Sequence, residues 1–261
     1  MMSMMSYLVP THDWFMLLAL VALLIVAALA HGALGFGFPL ISTPIVAMFS
    51  DMKTAIFLTL FPNIVINIIS IVSGGNWRLS IGRYWPVSVY VVIGTVLGSR
   101  FLLIADPEPL KILLALMIVV YLQQAYLRKL DWTLLKRHPH SSALVFGLLA
   151  GFLSGSVNVA LPPLVIYFMA LGLEALPMTQ MLNLCFLVGK MTQAVSLSLI
   201  GEISLKTLLQ SVPLTFISVA ALMYGIRLRS RIDPQRYVAL LRQLLWGMSI
   251  ILLVQVGMHY G

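Results

Sequence analysis

The first residue whose type and position point to chemistry is Lys190. It lies near the middle of the apolar run 178–200, about 15 Å along a helix axis from either end at 1.5 Å per residue. If this run crosses a bilayer, a lysine at such depth costs roughly 2.5–3.5 kcal/mol, so the ammonium must face a cavity or a partner. Asn183 and Gln193 share its helical face. The pattern predicts a cationic, amide-lined binding site, and a lysine bonded to helix-end carbonyls is the structural alternative.

A second polar stripe runs along the segment 54–73, where Thr59, Asn63, Asn67 and Ser70 recur at helical spacing. Asn67 and Gln193 lie 126 residues apart, at corresponding places in the two halves of the chain. Asn63 and Asn67 are therefore candidate ligand contacts. Hydrogen bonding between neighbouring helices explains such a stripe equally well.

Glycine and proline interrupt the short apolar segments near Gly35–Pro39 and Ser156–Pro162. Uncharged breaks of this kind are tolerated at membrane depth only where the backbone faces protein or a cavity, so we expect both turns to lie there and to meet. Broken helices would then begin near Ser42, Thr43 and Asn158, adding partial positive charge and free N–H donors.

His31 precedes the first of these turns. It is a candidate proton-linked switch, and a hydrogen-bonded core histidine is the alternative.

The acidic residues are placed very differently from Lys190. All eight fall in or beside predicted loops: Asp13, Asp51, Asp106, Glu108, Asp131, Glu174, Glu202 and Asp233. A pathway whose deep fixed charge is positive should favour anions. The sequence shows no metal-ligand spacing, catalytic triad or phosphate loop, so we expect neither a metal nor another cofactor.

Composition sets the environment of these residues. Of 261 residues, 61% are hydrophobic and 9% are charged, against about 25% charged in soluble domains. Such a chain cannot cover a surface facing water, and its solvent must be lipid. The net charge of +8 comes from short basic clusters between apolar runs, so no nucleic-acid partner is expected.

The chain alternates between apolar runs and short polar stretches, and this pattern predicts an all-α, polytopic membrane protein of about ten segments. The first is expected to be a retained span, because no basic residue precedes it. Two pairs of consecutive segments are short and joined without charges, which is typical of broken or re-entrant helical hairpins. The segments cover residues 14–34, 37–49, 54–73, 84–104, 108–127, 141–155, 159–172, 178–200, 207–226 and 236–258.

Basic residues cluster in three loops that can share one side of the membrane. By the positive-inside rule that side is the cytoplasm, and both termini then face outward. The clusters are Arg78 with Arg83, then Arg128, Lys129, Lys136 and Arg137, and finally Arg227, Arg229, Arg231 and Arg236.

The two halves of the chain share a spaced motif. Asp106-Pro107 follows Gly98 and Arg100, and Asp233-Pro234 follows Gly225 and Arg227 at the same spacing, 127 residues later. Because each half has five segments, an odd number, the second copy must insert upside down. We therefore predict a first repeat at 14–127, a basic cytoplasmic linker at 128–140 and a second repeat at 141–258.

The two interrupted hairpins, each followed by a helix carrying Asn and Ser, resemble the sulfite exporter TauE/SafE family of anion transporters. The matching stretches are His31-Gly-Ala-Leu-Gly-Phe-Gly-Phe-Pro39 with Pro44, and Gly151-Phe-Leu-Ser-Gly155 through Pro162-Pro163. The resemblance extends from about residue 14 to 258. The second turn departs from the family's tighter glycine run and reads Ser156-Val157-Asn158-Val159-Ala160.

The resemblance implies movement of small sulfur- or carboxylate-bearing anions, such as sulfite or a sulfonate, across the bacterial inner membrane. We expect a small anion and the lipid bilayer as partners, with a homodimer as an open alternative. A membrane-embedded enzyme would need an intramembrane cluster of His, Asp or Glu, and a channel would need a charged ring along its pore. The candidate substrate-binding residues are Lys190, Asn183, Gln193, Asn63, Asn67, Asn158, Ser156, Ser42, Thr43 and His31.

Overall fold

The computed structural model of this chain is built from α-helices. It describes residues 14–73, 82, 84–127, 131–203, 205–229 and 234–260, and every regular element within them is a helix. In chain order the helices are α1 (Trp14–Leu34), α2 (Phe38–Phe49), α3 (Met52–Ser73), α4 (Pro86–Ile104), α5 (Pro107–Leu122), α6 (Gln124–Leu127), α7 (Thr133–Arg137), α8 (Pro139–Val157), α9 (Leu161–Ala170), α10 (Ala175–Leu199), α11 (Leu205–Leu228) and α12 (Pro234–Tyr260).

The predicted class, a polytopic helical membrane protein, is confirmed. Within the described residues, six helical stretches are long and apolar enough to cross a bilayer: Met52–Ser73, Pro86–Ile104, Pro139–Val157, Ala175–Leu199, Ser211–Leu228 and Ala239–Met258. Shorter apolar helices cover Leu20–Leu34, Phe38–Phe49 and Leu161–Ala170. How many segments enter the membrane, and whether the halves form an inverted repeat, stay predictions.

Two predicted boundaries are corrected. The run 108–127 is not one helix, because Gln123 leaves the helical conformation and separates α5 from the four-residue α6. In the second case α8 begins at Pro139, inside the segment predicted as a linker. Proline is common at the first position of a helix, because the N–H of that position has no acceptor within the helix and its absence removes no hydrogen bond.

The breaks in the two short-helix pairs have local causes. Between α1 and α2, Gly35 and Gly37 adopt φ of 86° and 109°, which only glycine tolerates readily. Between α8 and α9, Asn158 adopts φ of 63°, a conformation that asparagine enters more easily than most residues. We call these two connections the first turn (residues 35–37) and the second turn (residues 158–160).

Glycines bring two pairs of helices into backbone contact. A Cβ added to Gly151 of α8 would overlap the carbonyl oxygen of Val91 in α4, and Gly94 and Gly98 of α4 are equally closed by α8. In the second pair, Gly32 of α1 lies against the backbone of α11 at Leu222. Small residues permit such close packing of membrane helices.

The remaining helices complete the bundle around these two pairs. Helix α3 packs on α11, α10 packs on α4, and α3 and α10 pack against each other between them. Helices α5 and α12 form a further packed pair. Several predicted landmarks lie outside the described residues: Arg78, Arg83, Arg128, Lys129, Arg231, Asp13 and Asp233.

Candidate functional site

The candidate site residues predicted from the sequence all lie in the interior of the bundle. Each is 2% exposed or less. Because buried polar side chains require hydrogen-bond partners, the partners show what each residue does. The set comprises His31, Ser42, Thr43, Asn63, Asn67, Ser156, Asn158, Asn183, Lys190 and Gln193.

Lys190 and Gln193 come together at the carboxyl end of α8. The Lys190 ammonium donates to the carbonyl oxygen of Ser154 at 2.9 Å and to Gln193 Oε1. Gln193 Nε2 in turn donates to the carbonyl oxygen of Gly155 at 2.8 Å. The last four carbonyls of a helix lack donors within the helix, so α10 supplies two of the donors that α8 needs.

The charge of this cluster is positive on balance. The carboxyl end of a helix carries about half a negative charge, which favours the Lys190 ammonium but does not neutralise it. Within the described part of the chain, Lys190 is the one buried Lys or Arg, and no carboxylate is buried there. The helix-end carbonyls that form the structural alternative for Lys190 are therefore present. Because they do not neutralise the ammonium, the core keeps an excess of positive charge.

The described carboxylates lie at helix ends, as predicted. Asp51 precedes α3 and accepts hydrogen bonds from the Thr54 N–H at 3.0 Å and the Thr54 hydroxyl at 2.6 Å. Burial raises the pKa of Asp51, but these bonds outweigh that effect and hold the pKa below its usual value. Asp51 therefore caps a helix as an anion, outside the polar core.

Asn158 joins the second turn to the first hairpin. Its Nδ2 donates to Thr43 Oγ1 of α2 at 2.7 Å and to Thr59 Oγ1 of α3 at 3.0 Å. The two hairpins thus meet through one amide group. Their depth in the membrane stays a prediction.

The expected free N–H donors at broken-helix starts are corrected. Helix α2 begins at Phe38, one turn before Ser42 and Thr43, and α9 begins three residues after Asn158. Pro162 and Pro163 remove two of the first N–H groups of α9. The second hairpin consequently presents the carbonyl end of α8 to the core.

Asn183 holds the first turn. Its Nδ2 donates to the carbonyl oxygen of Gly35 at 2.7 Å and to that of Thr179 at 2.8 Å. The turn also packs tightly on α10, since a Cβ added to Gly35 would lie 2.6 Å from Thr179 Cγ2. Asn183 shares a helical face with Lys190, as predicted, but bonds to a different hairpin.

His31 connects three elements of the first half. Its Nδ1 accepts from the N–H of Phe38 at 3.2 Å, and its Nε2 lies 2.9 Å from Ser70 Oγ. Because Nδ1 accepts a hydrogen bond, the proton of the neutral ring must sit on Nε2 and point to Ser70. This geometry matches the hydrogen-bonded core histidine.

The other predicted residues differ in whether all of their polar atoms have hydrogen-bond partners. Asn67 Nδ2 donates to Asn63 Oδ1 at 3.1 Å, within α3, and the Ser156 hydroxyl donates to Phe152 O at 2.7 Å, within α8. Several buried polar atoms have no hydrogen-bond partner: Ser42 Oγ, Asn63 Nδ2, Asn67 Oδ1 and Asn158 Oδ1. Such atoms are costly unless a ligand or water satisfies them.

Two groups of polar atoms in the core were not predicted from the sequence. Thr95 and Ser99 of α4 carry buried hydroxyls without a partner, and they follow Gly94 and Gly98 directly in the sequence. The carbonyl groups of Gly35, Ser154 and Gly155 are backbone atoms, so no residue type could have indicated them. Within the described residues, no group of His, Cys, Asp and Glu could hold a metal ion.

Comparison with known proteins gives one result. No curated protein and no solved structure matches this chain. The family model described as sulfite exporter TauE/SafE matches residues 19–256, a range that contains both turns, the polar stripe of α3 and Lys190. This membrane protein with a buried polar core therefore belongs to the sulfite exporter TauE/SafE family.

Proposed function

We propose that this chain is a secondary transporter of small anions in the bacterial inner membrane. Sulfite, a sulfonate or another small organic or sulfur oxyanion is the cargo. The observation that carries this proposal is Lys190, a buried cation with no buried carboxylate among the described residues. Helix-end carbonyls stabilise the ammonium without neutralising it. An anion entering the core would supply the missing charge.

The unsatisfied amide and hydroxyl groups suit such a cargo. Asn63 Nδ2 and the Ser42 hydroxyl are donors for oxyanion oxygens, whereas Asn67 Oδ1 and Asn158 Oδ1 are acceptors. A singly protonated oxyanion presents acceptor oxygens together with one O–H donor. A mixture of unpartnered donors and acceptors matches that pattern better than a fully deprotonated anion would.

The architecture that we propose is an inverted repeat of two five-segment halves. If α1–α5 are matched in order to α8–α12, helix contacts in one half have counterparts in the other. The contact of α1 with α11 then corresponds to that of α8 with α4. In the same way, the contact of α3 with α11 corresponds to that of α10 with α4. An odd number of segments per half inverts the second copy, with substrate bound between the halves. Both termini then face outward.

Flux into liposomes that contain the purified protein tests the proposal. We expect saturable uptake of sulfite or a small sulfonate, stimulated by the same unlabelled anion on the opposite side of the membrane. Running the assay with and without a proton gradient shows whether protons are coupled. Non-saturable flux without counterflow would identify a channel, chemical conversion of the anion would identify an enzyme, and no flux for any small anion would overturn the proposal.

A further inference from the structure

Apart from α5, α12 and the short helices α6 and α7, the helices form two groups, and each group mixes both halves of the sequence. Body A consists of α1, α2, α3 and α11, and body B consists of α4, α8, α9 and α10. The glycine contacts lie inside the bodies, since Gly32 joins α1 to α11 and Gly151 joins α8 to α4. Backbone contacts of this kind cannot slide without a clash, so each body is expected to behave as a rigid unit.

The packed helix pair that joins body A to body B is α3 with α10. It carries the polar stripes of both halves, with Asn63 and Asn67 on α3 and Lys190 and Gln193 on α10. The four unpartnered atoms of Ser42, Asn63, Asn67 and Asn158 belong to elements that meet at this boundary. The boundary between the bodies therefore carries polar side chains with unpartnered atoms.

Most polar residues of the core bond within their own body. Lys190 bonds to Ser154 and Gln193, all in body B. His31 bonds to Ser70, and Asn67 bonds to Asn63, all in body A. Movement of one body against the other would leave these bonds intact.

Among the described residues, two asparagines donate hydrogen bonds across the boundary. Asn158, at the end of α8, donates to Thr43 and Thr59 of body A. Asn183 of α10 donates to the carbonyl oxygen of Gly35 in body A. Each turn is thus tied by an amide to the other body. A further crossing bond, from Lys53 Nζ to Leu103 O at 3.1 Å, lies at the half-buried beginning of α3.

We propose that bodies A and B move against each other as rigid units during transport, and that Asn158 and Asn183 are positioning residues that hold the conformation described here. This inference rests on the transport function proposed above. We call the hydrogen bonds donated by the Asn158 and Asn183 amides the latches. They can break reversibly, because each contributes a modest net free energy that an exchange between two conformations can overcome. Breaking one latch should shift the ratio of the two conformations roughly threefold to tenfold.

Distances between pairs of spin labels test the rigid bodies. The pair Ile68 and Val195 spans the boundary, Val26 and Met223 both lie in body A, and Ile93 and Leu149 both lie in body B, all on exposed faces. Each pair is introduced as cysteines into a Cys185→Ser background and labelled through thioethers, which sulfite does not cleave. Sulfite should shift the populations of the boundary pair and leave both pairs within the bodies unchanged.

Variants test the latches. Asn158→Gly removes the amide and keeps the positive φ accessible, and Asn183→Ala removes the second latch. Thr192→Val is the matched control, because the Thr192 hydroxyl bonds only to Val188 O within α10. Both latch variants should change the boundary populations, and the control should leave them unchanged. Asn183→Ala should also change the turnover number by a larger factor than the KM, because the Asn183 amide holds the first turn.

The outcomes separate this inference from the proposed function. Two results would overturn the inference while sulfite flux keeps the transporter assignment standing. In the first, sulfite changes the distances of all three label pairs alike. In the second, the latch variants fold but leave the populations of the boundary pair unchanged. If no anion is transported, but the boundary pair shows two populations whose ratio both latch variants shift, the latches are supported and the transport function fails.

Discussion

At the residue scale, the central question is what the Lys190 ammonium does when no carboxylate is buried among the residues that the structure describes. Two energies decide how the chain responds to its loss. Burying the charge costs roughly 2.5–3.5 kcal/mol, while leaving Ser154 O and Gln193 Oε1 without a donor costs about 1–3 kcal/mol each. These terms are of similar size, so the charge can be removed without unfolding the protein.

We therefore predict that Lys190→Met folds but transports poorly. Methionine keeps the length of the side chain and removes the positive charge, so anion flux should fall by roughly tenfold or more, which requires about 1.4 kcal/mol of lost affinity. Lys190→Arg should keep part of the flux, because it retains the charge with a different donor geometry. Flux in liposomes and thermal unfolding in detergent measure the two effects. Normal flux in a less stable Lys190→Met protein would instead assign Lys190 to structural capping of α8.

A second prediction concerns the unpartnered hydroxyl of Ser42. A buried hydroxyl without a partner costs free energy in the folded state, so Ser42→Ala should unfold at the wild-type temperature or slightly above it. If the hydroxyl donates to the anion, the KM should rise by about threefold to tenfold. Ser218→Ala is the control, because Ser218 Oγ of α11 is also buried and unpartnered. An equal KM for the wild type and both variants would remove Ser42 from the site.

At the scale of elements, packing and function are divided between different faces of the same helices. Helix α4 presents Gly94 and Gly98 to α8, and its Thr95 and Ser99 are buried beside them. The glycines bring the backbones together, and the hydroxyls of Thr95 and Ser99 are buried next to that contact. Close helix packing thus helps to form the buried polar interior.

Adding a methyl group to this contact should destabilise the protein. In Gly151→Ala the new Cβ would overlap Val91 O, and overpacking of this kind typically costs about 1–3 kcal/mol. Gly247→Ala is the control, since a Cβ there meets nothing within 4 Å and alanine favours the helix by up to about 1 kcal/mol. Thermal unfolding in detergent should show a lower midpoint for the first variant alone. Equal midpoints would mean that α4 and α8 do not pack as closely as described.

At the scale of the whole molecule, orientation follows from charge. The loops at 127–140 and 226–237 hold the densest clusters of Lys and Arg, so we predict that both are cytoplasmic and that both termini lie outside. Topology reporters fused at Arg137 and after the last residue should report opposite sides of the membrane. The same side for both would contradict the ten-segment architecture.

Much about this protein follows from its sequence alone, because lipid imposes simple rules. Apolar runs of about 20 residues are expected to form helices, since a helix satisfies the backbone hydrogen bonds of a bilayer-spanning segment within that segment. The same rules made Lys190, Asn158 and Asn183 conspicuous, because a polar residue in an apolar run needs a reason. The sequence also shows glycines four residues apart, at Gly94 and Gly98 and at Gly147, Gly151 and Gly155, and small residues at this spacing are typical of closely packed membrane helices.

Tertiary structure alone decided which polar atoms meet. The sequence put Lys190 and Asn183 on one face of α10, yet they bond to different hairpins, because Asn183 lies beside the first turn and Lys190 lies beside the carboxyl end of α8. Their acceptors, the carbonyl groups of Gly35 and Ser154, belong to backbone that every residue carries, so residue types cannot indicate them. The grouping of α4 with α8 and of α1 with α11 likewise depends on three-dimensional packing between distant segments. The sequence determined the solvent and the helices, and packing determined the partners.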